Sequence, residues 1–416
     1  MAAKSQECAE HHRCVHATNG LVWRDMQVRR RDVRLPVAGH VTSLELFFDL
    51  VFVFTITQLT ATVLPGGLAL TGRTALLLLI LWWMYGGYAW LTNAAPPVTP
   101  RRRLLLLLGM IGLFVTAMAI PHAYGSDRVV FACGYLVVVV VHAGMYVSEA
   151  ARLTRGMVVQ LLGWNMAGAV LGLVGALFFE DVLVWWWLAS FVVAVGLPRL
   201  FSVTALNQVE DDGGPSFTLV PGHFVERHGL MLLIALGESV LAIGVGLGTG
   251  LEAIGLEQVA FAAISLLLAA TLYWAYFGVG EDARAEAALD ALPAERAQAA
   301  GLASYGYAFW VILFGIVLSA AGLHHALVHP TDPLGWRYAT QLCVGVGLFW
   351  VGLGLFRLTL GLPGALPRLA GGVVLGAITV IGALVSGMLA LLCLLLVSAV
   401  VVLIEQRAET SAPQTA

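Results

Sequence analysis

Of the 416 residues, 59% are hydrophobic and 11% charged, with a net charge of −3. An ordinary soluble domain carries roughly a quarter charged residues, so a water-covered protein of this size is excluded. The mean hydropathy of +0.87 and long apolar runs point to lipid as the solvent, because about 20 consecutive apolar residues span a bilayer core. In lipid the backbone must satisfy its own hydrogen bonds. The runs 104–120, 136–141 and 390–404 are solid, without the alternation of a barrel strand. The predicted fold class is therefore an all-α polytopic membrane protein. No basic stripe or nucleic-acid motif is present, which sets nucleic acid aside as a partner and leaves the lipid bilayer and a small ion or solute. Cys8, Cys14, Cys133, Cys343 and Cys393 are scattered and give no disulfide framework. No motif for a cofactor is readable, so none is expected.

Residues 1–43 are polar and basic, which predicts a cytoplasmic tail and no cleavable signal peptide. Within it Cys8, His11, His12, Cys14 and His16 put five soft or borderline ligands close together, enough for zinc or copper by composition, although the spacing fits no standard finger. Met26, which opens onto Arg29 to Arg31, is an alternative translation start. Apolar runs then predict spans at 44–64, 74–93, 104–124, 129–148, 157–178 and 182–201. A second set follows at 223–247, 258–279, 301–323, 338–357, 369–386 and 388–404. The last pair is split at Ser386-Gly387, because one helix of that length overshoots a bilayer. Twelve spans place both termini on one side. Of the 22 Lys and Arg, all but Arg73, Arg128 and Arg337 then share that side, a positive-inside signal for cytoplasmic termini in the cell membrane. The tryptophan run Trp185 to Trp187 suits an interfacial belt.

The halves resemble one another. Trp83 to Gly87 matches Trp274 to Gly278, Asp49 falls opposite Glu238, and Arg152 to Thr154 matches Arg357 to Thr359. Six spans per unit is even, so the repeats are expected to be parallel, at 44–201 and 223–404. The linker 202–222 is polar and Gly/Pro-containing, and 405–416 forms a second cytoplasmic tail. Residues 281–298 read as a solvated connector with enough Ala, Glu and Arg at helical spacing to form a short surface helix.

Ionisable residues within spans are costly and mark function by default. Glu45 and Asp49, four apart, stack on one face of span 1, a placement that favours a shared proton or a bound cation. Glu45 also suits a helix cap. In span 7, Glu226, Arg227 and Glu238 stand out. Arg227 and Glu238 share an azimuth but lie about 16 Å apart along the axis, so Glu238 needs a partner from another helix. His142, Asn165 and Arg199 are further polar groups, each suited either to interhelical hydrogen bonding or to a pathway. These eight residues form the predicted ion or substrate pathway, with Asp49 and Glu238 as paired carboxylates near the axis between repeats.

The stretch Leu44-Glu45-Leu46-Phe47-Phe48-Asp49-Leu50-Val51-Phe52-Val53 resembles the opening signature of the bacterial low temperature requirement A family. So does Glu226-Arg227-His228-Gly229-Leu230 with Leu236-Gly237-Glu238-Ser239-Val240. The resemblance covers about 36–404 and implies a multi-pass membrane protein linked by name to growth in the cold, without supplying an activity. A looser likeness is to potassium channels outside the voltage-gated superfamily, whose six-helix units carry Arg-x-x-x-Phe-Ser-Asp. Here those positions read Ser43, Phe47, Phe48 and Asp49, so Asp49 carries over while the Arg and Ser do not. The leading expectation is a transporter or channel for a small ion or solute. An intramembrane enzyme acting on a lipid or apolar metabolite, and a sensor or assembly partner, are the alternatives; no nucleophile elbow, metalloprotease helix or phosphate loop supports the enzyme.

Overall fold

The computed structural model describes residues 41–148, 163–198, 219–248 and 254–411, and these are helical with no strand among them. The first half supplies α1 (Ser43–Val63), α2 (Leu68–Ala94), α3 (Pro100–Ala119), α4 (Arg128–Ser148) and α5 (Trp164–Phe178). It ends with α6 (Leu183–Phe191), which runs on through a π-helical turn, Val192–Gly196. The second half opens with α7 (Pro221–Gly248), then α8 (Leu256–Tyr273) with its π-helical turn Trp274–Gly278. Two short helices, α9 (Glu281–Asp290) and α10 (Ala294–Gly301), lead through a π-helical segment, Leu302–Ala308, into α11 (Phe309–Ala326). The chain closes with α12 (Gly335–Leu360), α13 (Ala365–Ala377), α14 (Thr379–Leu384) and α15 (Gly387–Ser411).

Nine helical segments among the described residues are long and apolar enough to cross a membrane, against twelve predicted spans. Of the other three, α5 shows 15 described residues, α6 nine before its π turn, and α7 28. The expected solvated connector at 281–298 is corrected: it folds as α9 and α10, with Glu281, Ala285 and Leu289 buried. The tryptophan run divides, Trp185 being exposed while Trp187 is fully buried against Phe131 and Tyr135.

Local chemistry sets the helix ends. Thr42 caps α1 through a capping box: its Oγ1 accepts from Glu45 N at 3.3 Å, and Glu45 Oε2 accepts from Thr42 N at 2.9 Å. α12 stops at Gly361, whose φ of 67° is the left-handed conformation that glycine adopts without strain. Close packing uses small residues: Gly315 and Gly322 of α11 face Gly345 and Leu342 of α12, so the two backbones touch.

Neighbours follow chain order. In the first half α1 packs on α2 and α3, α3 on α4, α4 on α5 and α5 on α6, with α2 also meeting α6. In the second, α7 packs on α8 and α11, α11 on α12, α12 on α13 and α13 on α15, with α8 also meeting α15. The halves meet where α1 and α2 pack against α7 and α11. That seam holds the charges, and a cavity lies beside it.

Candidate functional site at the seam between halves

α1 presents Glu45 and Asp49 to α7, which presents His223 and Arg227; all four are essentially out of reach of solvent. The i, i+4 spacing within each helix is what stacks each pair on one face. Arg227 donates from Nε and Nη2 to Asp49 Oδ1 at 3.2 and 2.9 Å. Its Nη1 donates to Thr92 Oγ1 on α2 and lies 3.6 Å from Glu45 Oε1. His223 Nε2 lies 3.3 Å from Glu45 Oε1, and its Nδ1 meets the Asn93 amide, also at 3.3 Å. The guanidinium is flanked by the Phe48 and Tyr85 rings, 5.6 and 5.5 Å from their centroids. Asp49 Oδ2 and the Tyr85 hydroxyl are buried without a hydrogen-bond partner.

Two expectations are corrected here. Where spacing favours a shared proton or a bound cation between Glu45 and Asp49, the chain itself places the buried Arg227 guanidinium. Asp49 and Glu238 are not brought together. Glu238 instead accepts from Thr57 Oγ1 at 2.7 Å, and Thr57 lies eight residues beyond Asp49 on α1, about 12 Å along the axis. The Glu45 carboxylate both closes the capping box and faces His223. Glu226 accepts from Val41 N at 3.3 Å, beside the start of α1.

His142 and Asn165 line a second feature, a cavity of about 490 Å³ between α2, α4 and α5 of the first half and α7 and α10 of the second. Trp82, Trp83, Trp90, Phe224, His228 and Tyr305 supply the aromatic part of its remaining wall. Asn165 Oδ1 accepts from Trp83 Nε1 at 3.3 Å, and His142 packs against Tyr88 and Tyr146. Trp82 Nε1 donates to the Gly306 carbonyl at 2.9 Å, an acceptor in the π-helical segment. Trp82 also stacks on Tyr85 at 4.8 Å, and Tyr85 flanks Arg227. Phe224 and His228 line the cavity while Arg227, on the adjoining part of the same α7 face, joins the charge cluster, and Tyr85 contacts both His228 and Arg227.

A second buried cluster escaped sequence reasoning. Arg357 of α12 and Arg368 of α13 both pair with Glu281 of α9, and Arg368 Nε donates to Glu405 Oε1 of α15 at 2.6 Å. Two positive and two negative charges balance, so the group reads as a clamp on the ends of these helices. Arg357 and Arg368 carried a signal as arginines near span ends, but positive-inside counting absorbed it. Arg199 and the Cys8, His11, His12, Cys14 and His16 cluster lie outside the described residues. Among the described residues no group of three or more His, Cys, Asp or Glu side chains could hold a metal.

Comparison with known proteins is consistent with this architecture. An uncharacterized protein of Rhizobium meliloti (strain 1021), RA0937, is 27% identical over 315 residues, covering 73% of this chain and 74% of that one. The family model for the bacterial low temperature requirement A protein (LtrA) matches residues 40–404, a range that includes α1 with its carboxylates, α7 with Arg227 and the whole cavity wall. The chain therefore belongs to the bacterial low temperature requirement A family.

Proposed function

We propose that the chain is a secondary transporter for a small solute, with the cavity as solute site and the Glu45–Asp49–Arg227–His223 cluster as its proton-linked latch. The observation that carries this reading is the turn Phe224 to His228 of α7. It carries Arg227 of the buried ion cluster and Phe224 and His228 of the cavity wall on adjoining parts of one helix face. Each ion pair joins one half to the other, so any rocking of the halves must break it. Charge counting supplies the coupling. Two carboxylates face one guanidinium, so one negative charge has no fixed cation of its own and a proton held within the cluster balances it. The stack Arg227, Tyr85, Trp82 gives a contiguous route from that imbalance to the cavity. The apolar aromatic wall favours a solute over a bare ion, for which hydration must be replaced by oxygen ligands.

The frame for this motion is twelve spans in two parallel six-helix repeats, both termini cytoplasmic, in the cell membrane. The recurring neighbour order of the two halves supports the repeat. The orientation is supported by the three minority arginines, which meet the loops of one end. Arg337 Nη1 donates to Pro65 O, Arg73 lies over Tyr124, and Arg128 pairs with Glu180. Glu226 shapes the mouth near the start of α1, and Glu238 marks the far end of the α1–α7 seam. Uptake of radiolabelled solutes into proteoliposomes tests the reading. Asp49→Asn and Glu238→Gln are expected to cut uptake at least tenfold while the protein still elutes as a folded particle. Uptake unchanged in Asp49→Asn removes the cluster from the mechanism.

A further inference from the structure

We infer that Glu238 is a proton site of its own, a carboxyl that loads and releases a proton through the end of the α1–α7 seam away from Asp49. As a statement about coupling this rests on the transport reading; as a proton site it stands on the local geometry alone. Glu238 is 3% exposed, and among the described residues it makes one hydrogen bond, with Thr57 Oγ1 at 2.7 Å. No Arg or His among them pairs with it. A carboxylate buried in an apolar span without a countercharge is costly, and a proton removes the charge.

The Thr57 hydroxyl suits both states. Its Oγ1 lies 2.7 Å from Glu238 Oε2 and 3.2 Å from the Val53 carbonyl, one turn back on α1. A hydroxyl has one hydrogen to give and lone pairs to accept with. Facing an ionised Glu238 it donates to the carboxylate, and the Val53 contact lapses. Facing a protonated Glu238 it accepts from the carboxyl O–H and gives its own hydrogen to Val53 O, so both short contacts become hydrogen bonds. One proton is gained, one hydrogen bond reverses, and no charge stays in the span. A metal ion fits less well, since it takes about six oxygen ligands and here one carboxyl and one hydroxyl meet.

The surroundings separate this site from the latch. Buried Phe52, Val53 and Ile56 of α1 and Met231 and Ala235 of α7 lie between the level of Asp49 and Arg227 and that of Thr57 and Glu238. Other ionisable groups on the helices packed against α7 are engaged elsewhere. Glu45, Asp49 and His223 gather at Arg227, which Tyr85 flanks, and His228 meets Phe224 O. Tyr88 donates to Val138 O, Arg73 lies over Tyr124, and Tyr273 stacks on Phe277. The charged helix α9 reaches the first turn of α7, where Glu286 lies against Gly222. Glu257 accepts from Thr331, and His324 and His325 stand in the last turn of α11, His325 stacked on Tyr338. Toward the far end of α1, polar atoms continue. Thr60 Oγ1, one turn beyond Thr57, and Gln341 Oε1 of α12 are buried without a hydrogen-bond partner, and Gln341 Nε2 donates to Val63 O. They mark a way from Glu238 to the loop after α1.

Labelling of the full chain in nanodiscs with dicyclohexylcarbodiimide tests this. The reagent enters lipid and reacts with a carboxyl that still holds its proton: the proton goes to a carbodiimide nitrogen and the carboxyl oxygen to its central carbon. Peptide mass mapping should find Glu238 labelled at least about tenfold faster than Asp49 or Glu45, whose charges face Arg227. Raising the pH should slow labelling of Glu238, and added sodium or potassium should leave it unchanged. Glu238→Gln should lose that adduct alone, and Thr57→Val should keep it, since the proton belongs to the carboxyl. Labelling of Glu238 no faster than of Asp49, or protection by sodium or potassium, overturns the inference. Fast labelling without solute uptake in proteoliposomes upholds the site and removes the coupling. Solute uptake with an unreactive Glu238 keeps transport and removes the site.

Discussion

Removing Arg227 is the sharpest perturbation the structure offers. In Arg227→Met, Asp49 loses two charge-assisted hydrogen bonds, at 2.9 and 3.2 Å, and Glu45 loses a neighbouring positive charge, at 3.6 Å. Breaking a buried pair from one side costs about 3–5 kcal/mol, because the other charge stays buried and unpaired. The double variant Arg227→Met with Asp49→Asn leaves Glu45 alone, still held by His223 and the capping box. Its deficit should fall to about 1–2 kcal/mol, well below the sum of the two single deficits, so the double-mutant cycle should give a coupling energy of at least about 2 kcal/mol. Reversible unfolding in mixed detergent micelles measures all four corners. Additive effects of the two substitutions would refute the reasoning.

The clamp should behave likewise. Arg368→Met leaves Glu281 and Glu405 facing one Arg357, and a loss of about 3–5 kcal/mol is expected; Arg368→Met with Glu405→Leu should recover most of it in the same unfolding assay. Thr42→Ala removes the capping box of α1 and should cost about 1 kcal/mol, and because Glu45 loses its anchor, solute affinity in Thr42→Ala should drop while Thr42→Ser keeps it. Thr57→Val deletes the hydrogen bond to Glu238; uptake should fall several-fold with unfolding stability lowered by only about 1 kcal/mol. Gly345→Val forces α11 and α12 apart where backbone meets backbone and should abolish recovery of folded protein on size exclusion.

Asp49, Arg227 and Glu238 were legible as candidates because charge inside an apolar run is costly, while Glu45 also read as the helix cap that it is. Their partners were not. Helical spacing tells which residues share a face, but the contact of Arg227 with Asp49 crosses between helices, and nothing in spacing distinguishes it from Asp49 with Glu238. The axial shift between α1 and α7 decides that, and it is set by packing. The cavity was invisible for a different reason: in lipid the outward and inward faces are both apolar, so Trp82 and Trp83 read the same as lipid-facing aromatics. Glu281, Arg357, Arg368 and Glu405 were hidden in plain view, since charges near span ends look like headgroup neighbours until α9 folds back over them. The helices themselves needed only hydropathy. The π-helical turn that aims the Gly306 carbonyl at Trp82 left no mark in the pattern.

The most direct test of the central claim is lumenal pH in pyranine-loaded proteoliposomes while a solute gradient is imposed across the membrane. Wild-type protein is predicted to move protons with the solute, and Asp49→Asn, still folded, to move none. Solute movement with no pH change in the wild type, or an undiminished pH change in Asp49→Asn, would contradict a proton-linked latch at Asp49 and Arg227.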